Sequence, residues 1–288
     1  MKRIFWLASY PKSGNTWLRL FLNNLLHDNE EPVDINDMPL SNTIASAREP
    51  LDQMISLESG ELFAHEIDQL RPAMYEAWSN NSTCKLYCKC HDAYTWNSNG
   101  EPLLSSRATR GALYLVRNPL DVVVSYAHHN NCNIDKAIRQ MANTHHGLAN
   151  SHTGQYKQLR QRLLSWSGHV HSWQNAVRIP VHTMRYEDMQ LDTINTFTKA
   201  TRFLQLDNNQ ADIEQALEAC RFDKLREQEV RSKRFRETPA GAKAFFRKGL
   251  VGSWRESLTD NQVCSIIDTH GSVMYLLGYL DSQGNPVY

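Results

Sequence analysis

Between positions 9 and 17 the chain reads Ser9-Tyr10-Pro11-Lys12-Ser13-Gly14-Asn15-Thr16-Trp17, and these residue types at this spacing suit the binding of an anion. Lys12 supplies a point charge, Ser13, Asn15 and Thr16 supply donors, and Gly14 lets the backbone come close. Ile4 to Ala8 is a short apolar run of buried-strand character. After the loop, Leu18, Phe21, Leu22 and Leu25 recur as one face of an amphipathic helix. A strand, a tight polar loop and a helix place unpaired N–H groups and a positive dipole end where a phosphate can sit. The order excludes a Walker A loop, whose lysine follows the second glycine of GxxxxGK[ST], because Lys12 precedes Gly14 by two residues. A polar strand-to-helix turn without a ligand is the alternative.

Three further groups of residues could do chemistry. Cys84 to Cys90 predicts a second strand with small or apolar even positions and polar or amphipathic odd ones, which directs Lys89 and His91 to one side. His91 could equally be a strand-end histidine bonded to a backbone carbonyl. Arg110 to Val116 predicts a third strand ending at Arg117-Asn118-Pro119, with Pro119 and Asp121 opening a helix. Arg117 then stands at a strand's carboxyl end beside a helix amino terminus, where open α/β sheets bind ligands, and Ser125 could reach the same ligand from the helix. Arg at a strand end is as often a salt-bridge residue. Cys84, Cys88 and Cys90 lack a partner pair at zinc spacing and read as core. His128, His129, His145, His146 and His152 invite a metal, yet adjacent histidines on a helix diverge, so Asn131 to Gly154 is expected to be a mobile loop and no metal is expected.

The remaining elements must position these groups. Asp28 to Asn81 is polar and broken by four prolines; Ile67, Leu70, Met74 and Trp78 suggest helical pieces that Pro72 interrupts. Leu159, Leu163, Trp166, Val170 and Trp173 predict one long amphipathic helix, and Val177 to Tyr186 a fourth strand. Thr193 to Leu206 and Ala211 to Cys220 look helical. Phe222 to Phe246 is basic and less periodic, with Pro239 and Gly241 marking an extended loop. Thr259 with Gln262 forms a capping box for a last helix.

The expected fold is α/β: a single domain over residues 1–288, with a central mostly parallel sheet flanked by helices and a P-loop-like strand-loop-helix. Its 288 residues suffice for one large core. The formal net charge is zero, so no global field recruits nucleic acid or a membrane surface. Charge is uneven, however: residues 28–83 hold twelve acidic and two basic residues, and residues 221–248 ten basic and four acidic. The second segment suits an anion; the first is a solvated cap or favours a cationic acceptor. No apolar run is long enough to span a bilayer, and six irregularly spaced cysteines suit reduced thiols. A cytoplasmic protein without a signal peptide is the expectation.

Several separated segments resemble, in order, the cytosolic sulfotransferases that use 3′-phosphoadenosine 5′-phosphosulfate (PAPS). Tyr10-Pro11-Lys12-Ser13-Gly14-x-Thr16-Trp17 is similar to that family's 5′-phosphosulfate loop, and Arg117-Asn118-Pro119-x-Asp121-x-x-x-Ser125 to its 3′-phosphate motif. Lys89-Cys90-His91 is similar to its Lys-Thr-His, Tyr186-Glu187-Asp188 to its Tyr-Glu-Asp, and Arg221-Phe222 to its Ser-Phe. Arg247-Lys248-Gly249-x-x-Gly252-x-Trp254 resembles its closing loop, with Ser253 where the family has Asp. The opening, Trp6 to Lys12, also looks like bacterial enzymes that tailor glycopeptide antibiotics.

The resemblance implies transfer of a sulfuryl group to a hydroxyl or amine of a small-molecule acceptor, leaving 3′-phosphoadenosine 5′-phosphate (PAP), with no metal. Lys12 and Lys89 would stabilise the charge that develops during transfer, and His91 would be the general base. Ser13, Gly14, Asn15 and Thr16 would hold the 5′ side of the donor. Arg117, Ser125, Arg247, Lys248 and Gly249 would bind the 3′-phosphate, while Trp17, Tyr186 and Phe222 would frame the adenine. Residues 28–83 would cap the acceptor side and residues 221–255 would close over the donor. A P-loop kinase or nucleotide hydrolase and a non-catalytic nucleotide-binding protein are the rival readings. A glycopeptide or other natural product, a phenol or alcohol, and a sugar or glycolipid all stay open as acceptors.

Overall fold

Ile4–Ser9 forms strand β1 with all six residues buried, as a run without polar alternation requires. In the computed structural model, which describes all residues except 1, 28–30, 42, 151–156, 239–241, 243 and 247, the elements follow in chain order. The first half holds α1 (Asn15–Leu25), α2 (Glu49–Ile55), α3 (Ala64–Asn81), β2 (Leu86–Cys90), β3 (Thr109–Val116), α4 (Pro119–His129) and α5 (Ile134–Ala142). The second holds β4 (Gly147–Leu148), β5 (Gln161–Arg162), α6 (Trp166–Gln174), β6 (Val181–Arg185), α7 (Tyr186–Leu191), α8 (Thr193–Phe203), α9 (Gln210–Ala219), α10 (Phe222–Arg231) and α11 (Asp260–Leu276). The fold is α/β, with a central parallel sheet in the order β2-β1-β3-β6. The chain divides into two compact units: residues 1–10, 41–114 and 144–183, and residues 11–40, 115–143 and 184–288.

The first unit carries the sheet, save the last residues of β3 and β6. β1 pairs with β2 from Ile4↔Leu86 to Ala8↔Cys90. The other edge of β2 is covered by residues 43–45, through Lys89 N–H to the Thr43 carbonyl (3.0 Å) and Ala45 N–H to the Lys89 carbonyl (2.8 Å), which keeps that edge from pairing with another chain. Tyr75 of α3 meets the Trp6 ring edge-on at 4.9 Å, and Trp173 of α6 stacks on Tyr114 of β3 at 5.7 Å. Beneath these rings lies a buried ion pair, Arg71 with Asp92 at 2.6 Å. Burial alone would lower the Arg71 pKa, but the Asp92 carboxylate overrules it and the net shift is upward. Asp68 pairs with Arg160 and Arg162, so this carboxylate of the acidic segment is neutralised within the protein.

In the second unit α1 buries Leu18, Phe21 and Leu22, with Phe21 against Phe197 of α8 at 4.4 Å. Arg19, fully buried, pairs with Glu237 at 2.6 Å. The Glu229 carboxylate of α10 accepts from the Phe245 (2.7 Å) and Phe246 (3.1 Å) N–H groups and so fixes part of the basic segment.

Several local expectations are corrected. Helix α3 runs through Pro72; the Asp68 carbonyl, which Pro72 cannot reach with an N–H, accepts from Asn97 Nδ2 at 3.5 Å. The stretch from Leu159 to Trp173 is not one helix. Leu164 takes a positive φ of 61°, Ser165 caps α6 through the Gly168 N–H at 3.0 Å, and Gln161–Arg162 pairs antiparallel with β4. All five apolar residues are buried nonetheless, because a bent segment can present them to the core as a helix would. The histidine-rich stretch contains α5, capped by Asn133, and β4; His152 lies outside the described residues. Residues 222–231 are helical, and Pro239 and Gly241 lie outside the described residues. β2 starts at Leu86, and its odd position Tyr87 is buried against Phe5. β6 starts only at Val181, with Val177 left 91 % exposed.

Two consequences for stability follow. Asp92→Ala leaves the Arg71 charge buried and unpaired and should cost about 3–5 kcal/mol, read as a lowered urea midpoint; a midpoint equal to the wild type would refute the role of the pair. Burial holds His169 at about 3 and His270 at about 4, below the value near 6.5 of the unfolded chain. Both are depressed, so their contribution is whole above pH 6.5 and is lost as pH falls toward those values. Unfolding free energy should therefore decline from pH 6.5 to pH 4.5, and His270→Gln should flatten that slope.

Candidate active site

The second unit assembles the anion-binding group. Gly14 is the N-cap of α1 at φ 99°, no side chain caps the helix, and its first turn holds no carboxylate. The positive end of the helix dipole is therefore not offset by a side-chain cap or a carboxylate of its own first turn. A Cβ on Gly14 would stand 2.7 Å from the Tyr186 ring, so both the positive φ and the close approach require glycine. Ser13 Oγ, Trp17 Nε1 and Arg117 Nε are buried with no hydrogen-bond partner among the described residues. Buried polar groups are normally satisfied, and three such atoms gathered around one loop fit a polar ligand. Asn15 is buried and Thr16 half-buried in the first turn of α1.

Lys12 has a left-handed backbone (φ 71°). Its ammonium lies 4.4 Å from the Phe245 ring centroid and 3.5 Å from His129 Nδ1. Arg117 is a hub. It donates to the Leu250 carbonyl (2.9 Å) and the Lys12 carbonyl (3.5 Å), approaches Asp121 at 3.5 Å, and lies 4.2 Å over the Tyr186 ring. The alternatives of salt-bridge residue and ligand are thus not exclusive, since Nε remains buried without a partner while the other nitrogens hold the loop.

The closing segment reaches the same place. The Gly249 carbonyl accepts from Tyr186 Oη at 3.1 Å and from Gln190 at 3.0 Å. A Cβ on Gly249, at φ 63°, would stand 2.5 Å from the Phe222 ring. Trp17 meets Tyr186 edge-on at 6.2 Å. Trp17, Tyr186, Phe222 and Gly249 therefore do converge. Ser125 is half-buried on α4, two turns beyond Arg117. Lys248 instead pairs with Glu256 at 2.6 Å on the surface, and Arg247 lies outside the described residues.

Two residues that the sequence named for other reasons, Asp121 and His129, belong to this group. Asp121 does more than open α4: its fully buried carboxylate accepts from Gly252 N–H (2.9 Å), Ser253 Oγ (3.1 Å) and Trp254 N–H (3.0 Å). Its i,i+4 spacing from Arg117 was the available signal. Ser253 accordingly makes a loop contact of its own. His129, whose pairing with His128 invited a metal, lies instead beside Lys12.

The first unit holds His91 and Lys89. His91 Nδ1 lies 2.8 Å from the Ser9 carbonyl and 3.2 Å from Ser9 Oγ. A carbonyl only accepts, so Nδ1 carries the proton and the lone pair is on Nε2. The carbonyl bond expected of a structural histidine is present, and it leaves Nε2 as the basic nitrogen of the ring. Lys89 is half-buried at the fourth position of β2 and shares the parity of His91. Burial raises the Cys88 and Cys90 thiols well above their ordinary values, which makes them core groups, not thiolates. Among the described residues no three His, Cys, Asp or Glu side chains gather for a metal.

Comparison with known proteins agrees with this geometry. Residues 2–278 match the family model described as "Sulfotransferase domain", and the chain belongs to the sulfotransferase family. It is 25 % identical over 272 residues to flavonol 3-sulfotransferase of Flaveria bidentis, covering 89 % of this chain and 77 % of that protein. Cytosolic sulfotransferase 5 of Arabidopsis thaliana is likewise 25 % identical, with 91 % and 77 % covered. Among solved structures, mouse sulfotransferase SULT7A1 complexed with PAP superposes with a TM-score of 0.59 at 20 % identity, over 95 % of this chain and 84 % of that one. A retinol dehydratase in complex with retinol and PAP gives 0.63 at 18 % identity, over 95 % and 82 %. At these identities the superpositions speak for the fold.

Gly249→Ala tests the convergence. It should weaken PAP binding at least tenfold by calorimetry, because the ring of Phe222 must move and the backbone is strained; unchanged affinity would show that Gly249 and Phe222 do not frame the nucleotide.

Proposed function

We propose that Lys12, Arg117 and the α1 amino terminus hold the donor, and that His91 and Lys89 act on the acceptor in a single in-line displacement. The protein is a PAPS-dependent sulfotransferase acting on a small-molecule acceptor. When bound, PAPS supplies an activated sulfuryl group whose departure leaves PAP. His91 Nε2 takes the proton of the acceptor hydroxyl or amine as the acceptor bonds to sulfur. Lys12 opposes the charge that grows on the oxygen bridging phosphate and sulfur as its bond to sulfur breaks, and Lys89 contacts the transferring group.

The observation that carries this reading is the set of buried, partnerless polar atoms around Gly14: Ser13 Oγ, Trp17 Nε1 and Arg117 Nε. The Ser9 carbonyl orients His91 by accepting from its Nδ1–H at 2.8 Å, which leaves Nε2 as the basic nitrogen. Tyr186, Phe222 and Trp17 frame the adenine; Arg117, Ser125, Arg247 and Gly249 bind the 3′-phosphate, and Lys248 joins them by exchanging its surface pair with Glu256 for the phosphate. Residues 221–255 close over the donor and residues 28–83 form the acceptor-side cap, within one sulfotransferase domain of residues 1–288. No described helix is long and apolar enough to cross a membrane, and all six cysteines are free, which supports work in a reducing compartment such as the cytoplasm.

PAP should raise the melting temperature, whereas ATP with Mg²⁺ should not; the opposite pattern would favour a kinase or nucleotide hydrolase. His91→Ala should lower kcat by on the order of a hundredfold to ten-thousandfold with PAP affinity unchanged. Wild-type turnover in that variant would remove His91 from the chemistry.

A further inference from the structure

We propose that His169, a fully buried histidine of α6, is a positioning residue for the general base: it grips the backbone of His91 and so sets where the His91 ring presents Nε2. This inference rests on the assignment of His91 as the base. His169 Nε2 lies 3.2 Å from the His91 carbonyl, and His169 Nδ1 lies 2.9 Å from Tyr114 Oη. A carbonyl can only accept, so the Nε2–H donates to His91, while Nδ1 accepts from the Tyr114 hydroxyl. The tyrosine thus selects the tautomer that serves His91.

The ring of His169 has no freedom to do otherwise. Tyr114 stacks on it at 5.5 Å, and Tyr10 meets it edge-on at 5.4 Å. Burial holds its pKa at about 3, so at neutral pH it stays neutral, with one N–H to give. The residue after His91 is fixed from the same side: Trp173 Nε1 donates to the Asp92 carbonyl at 3.1 Å. The Asp92 carboxylate in turn pairs with Arg71 and accepts the Arg162 N–H at 3.0 Å. The ring of His91 is held at Nδ1 by Ser9 of β1. A base tied at its ring by one strand and at its backbone by α6 has its Nε2 direction determined by both.

A positioning role and a purely structural one differ in what they disturb. His169→Leu keeps volume and removes the donor; His169→Gln keeps an N–H at the Nε2 position. His169→Leu is expected to lower kcat by ten- to a hundredfold, the scale of a misplacement of about 1 Å, while PAP affinity by calorimetry stays within twofold. His169→Gln should recover kcat to within about threefold of wild type. Tyr114→Phe should cost less than His169→Leu and add nothing on top of it, since both act through one group. The inference is overturned if His169→Leu turns over like the wild type, if it loses PAP binding together with kcat, or if His169→Gln is damaged equally. His91→Ala, assayed alongside, separates the two ideas. An active His91→Ala overturns the assignment of the base, whereas an inactive His91→Ala with an unaffected His169→Leu overturns only the positioning role.

Discussion

In the second unit everything near the anion loop depends on one guanidinium. Arg117 reaches the carbonyls of Lys12 and Leu250, the carboxylate of Asp121 and the ring of Tyr186. These partners lie far apart in sequence, from position 12 to position 250, and a planar group with five donors is the side chain that can hold them together. Asp121 extends the arrangement by collecting the backbone of residues 252–254. A buried cation shared among acceptors in this way is costly to desolvate, and several acceptors at once offset that cost.

The first unit solves a different problem, that of holding His91 still. His91 leaves β2 at a point where its ring, its own carbonyl and the next residue are each bound by a different element. The buried Arg71–Asp92 pair and the stacked rings of Tyr114, His169 and Trp173 make that corner dense. Polar groups in such a corner are satisfied or strongly penalised, so rigidity is a by-product of burial. By contrast, Lys12 is half-buried and rests against an aromatic face and an imidazole, with no carboxylate among these contacts.

Much of this was legible beforehand. The strand-loop-helix at residues 4–25, the strand ending at Arg117, the helix beginning at Pro119 and the capping box at Thr259 each have local signals of period, cap or turn, and each is where those signals put it. Legibility failed where local preference was overridden. Pro72 sits inside a helix because a distant asparagine serves the orphaned carbonyl. Leu159 to Trp173 bends because Leu164 adopts a left-handed backbone that its residue type does not advertise. Lys248 turns to Glu256, a choice between neighbouring charges that sequence spacing does not resolve.

The sequence by itself determined the family, the strand-loop-helix at residues 4–25 and the candidate groups for the chemistry, because these depend on residue type and short spacing. The tertiary structure decided which of those groups are tied together: Arg117 to Asp121 and the closing loop, His91 to Ser9 and His169, Gly249 to Phe222. The physical reason is that hydrogen bonds and ring contacts between residues tens to hundreds of positions apart are fixed by packing, and no local propensity encodes them.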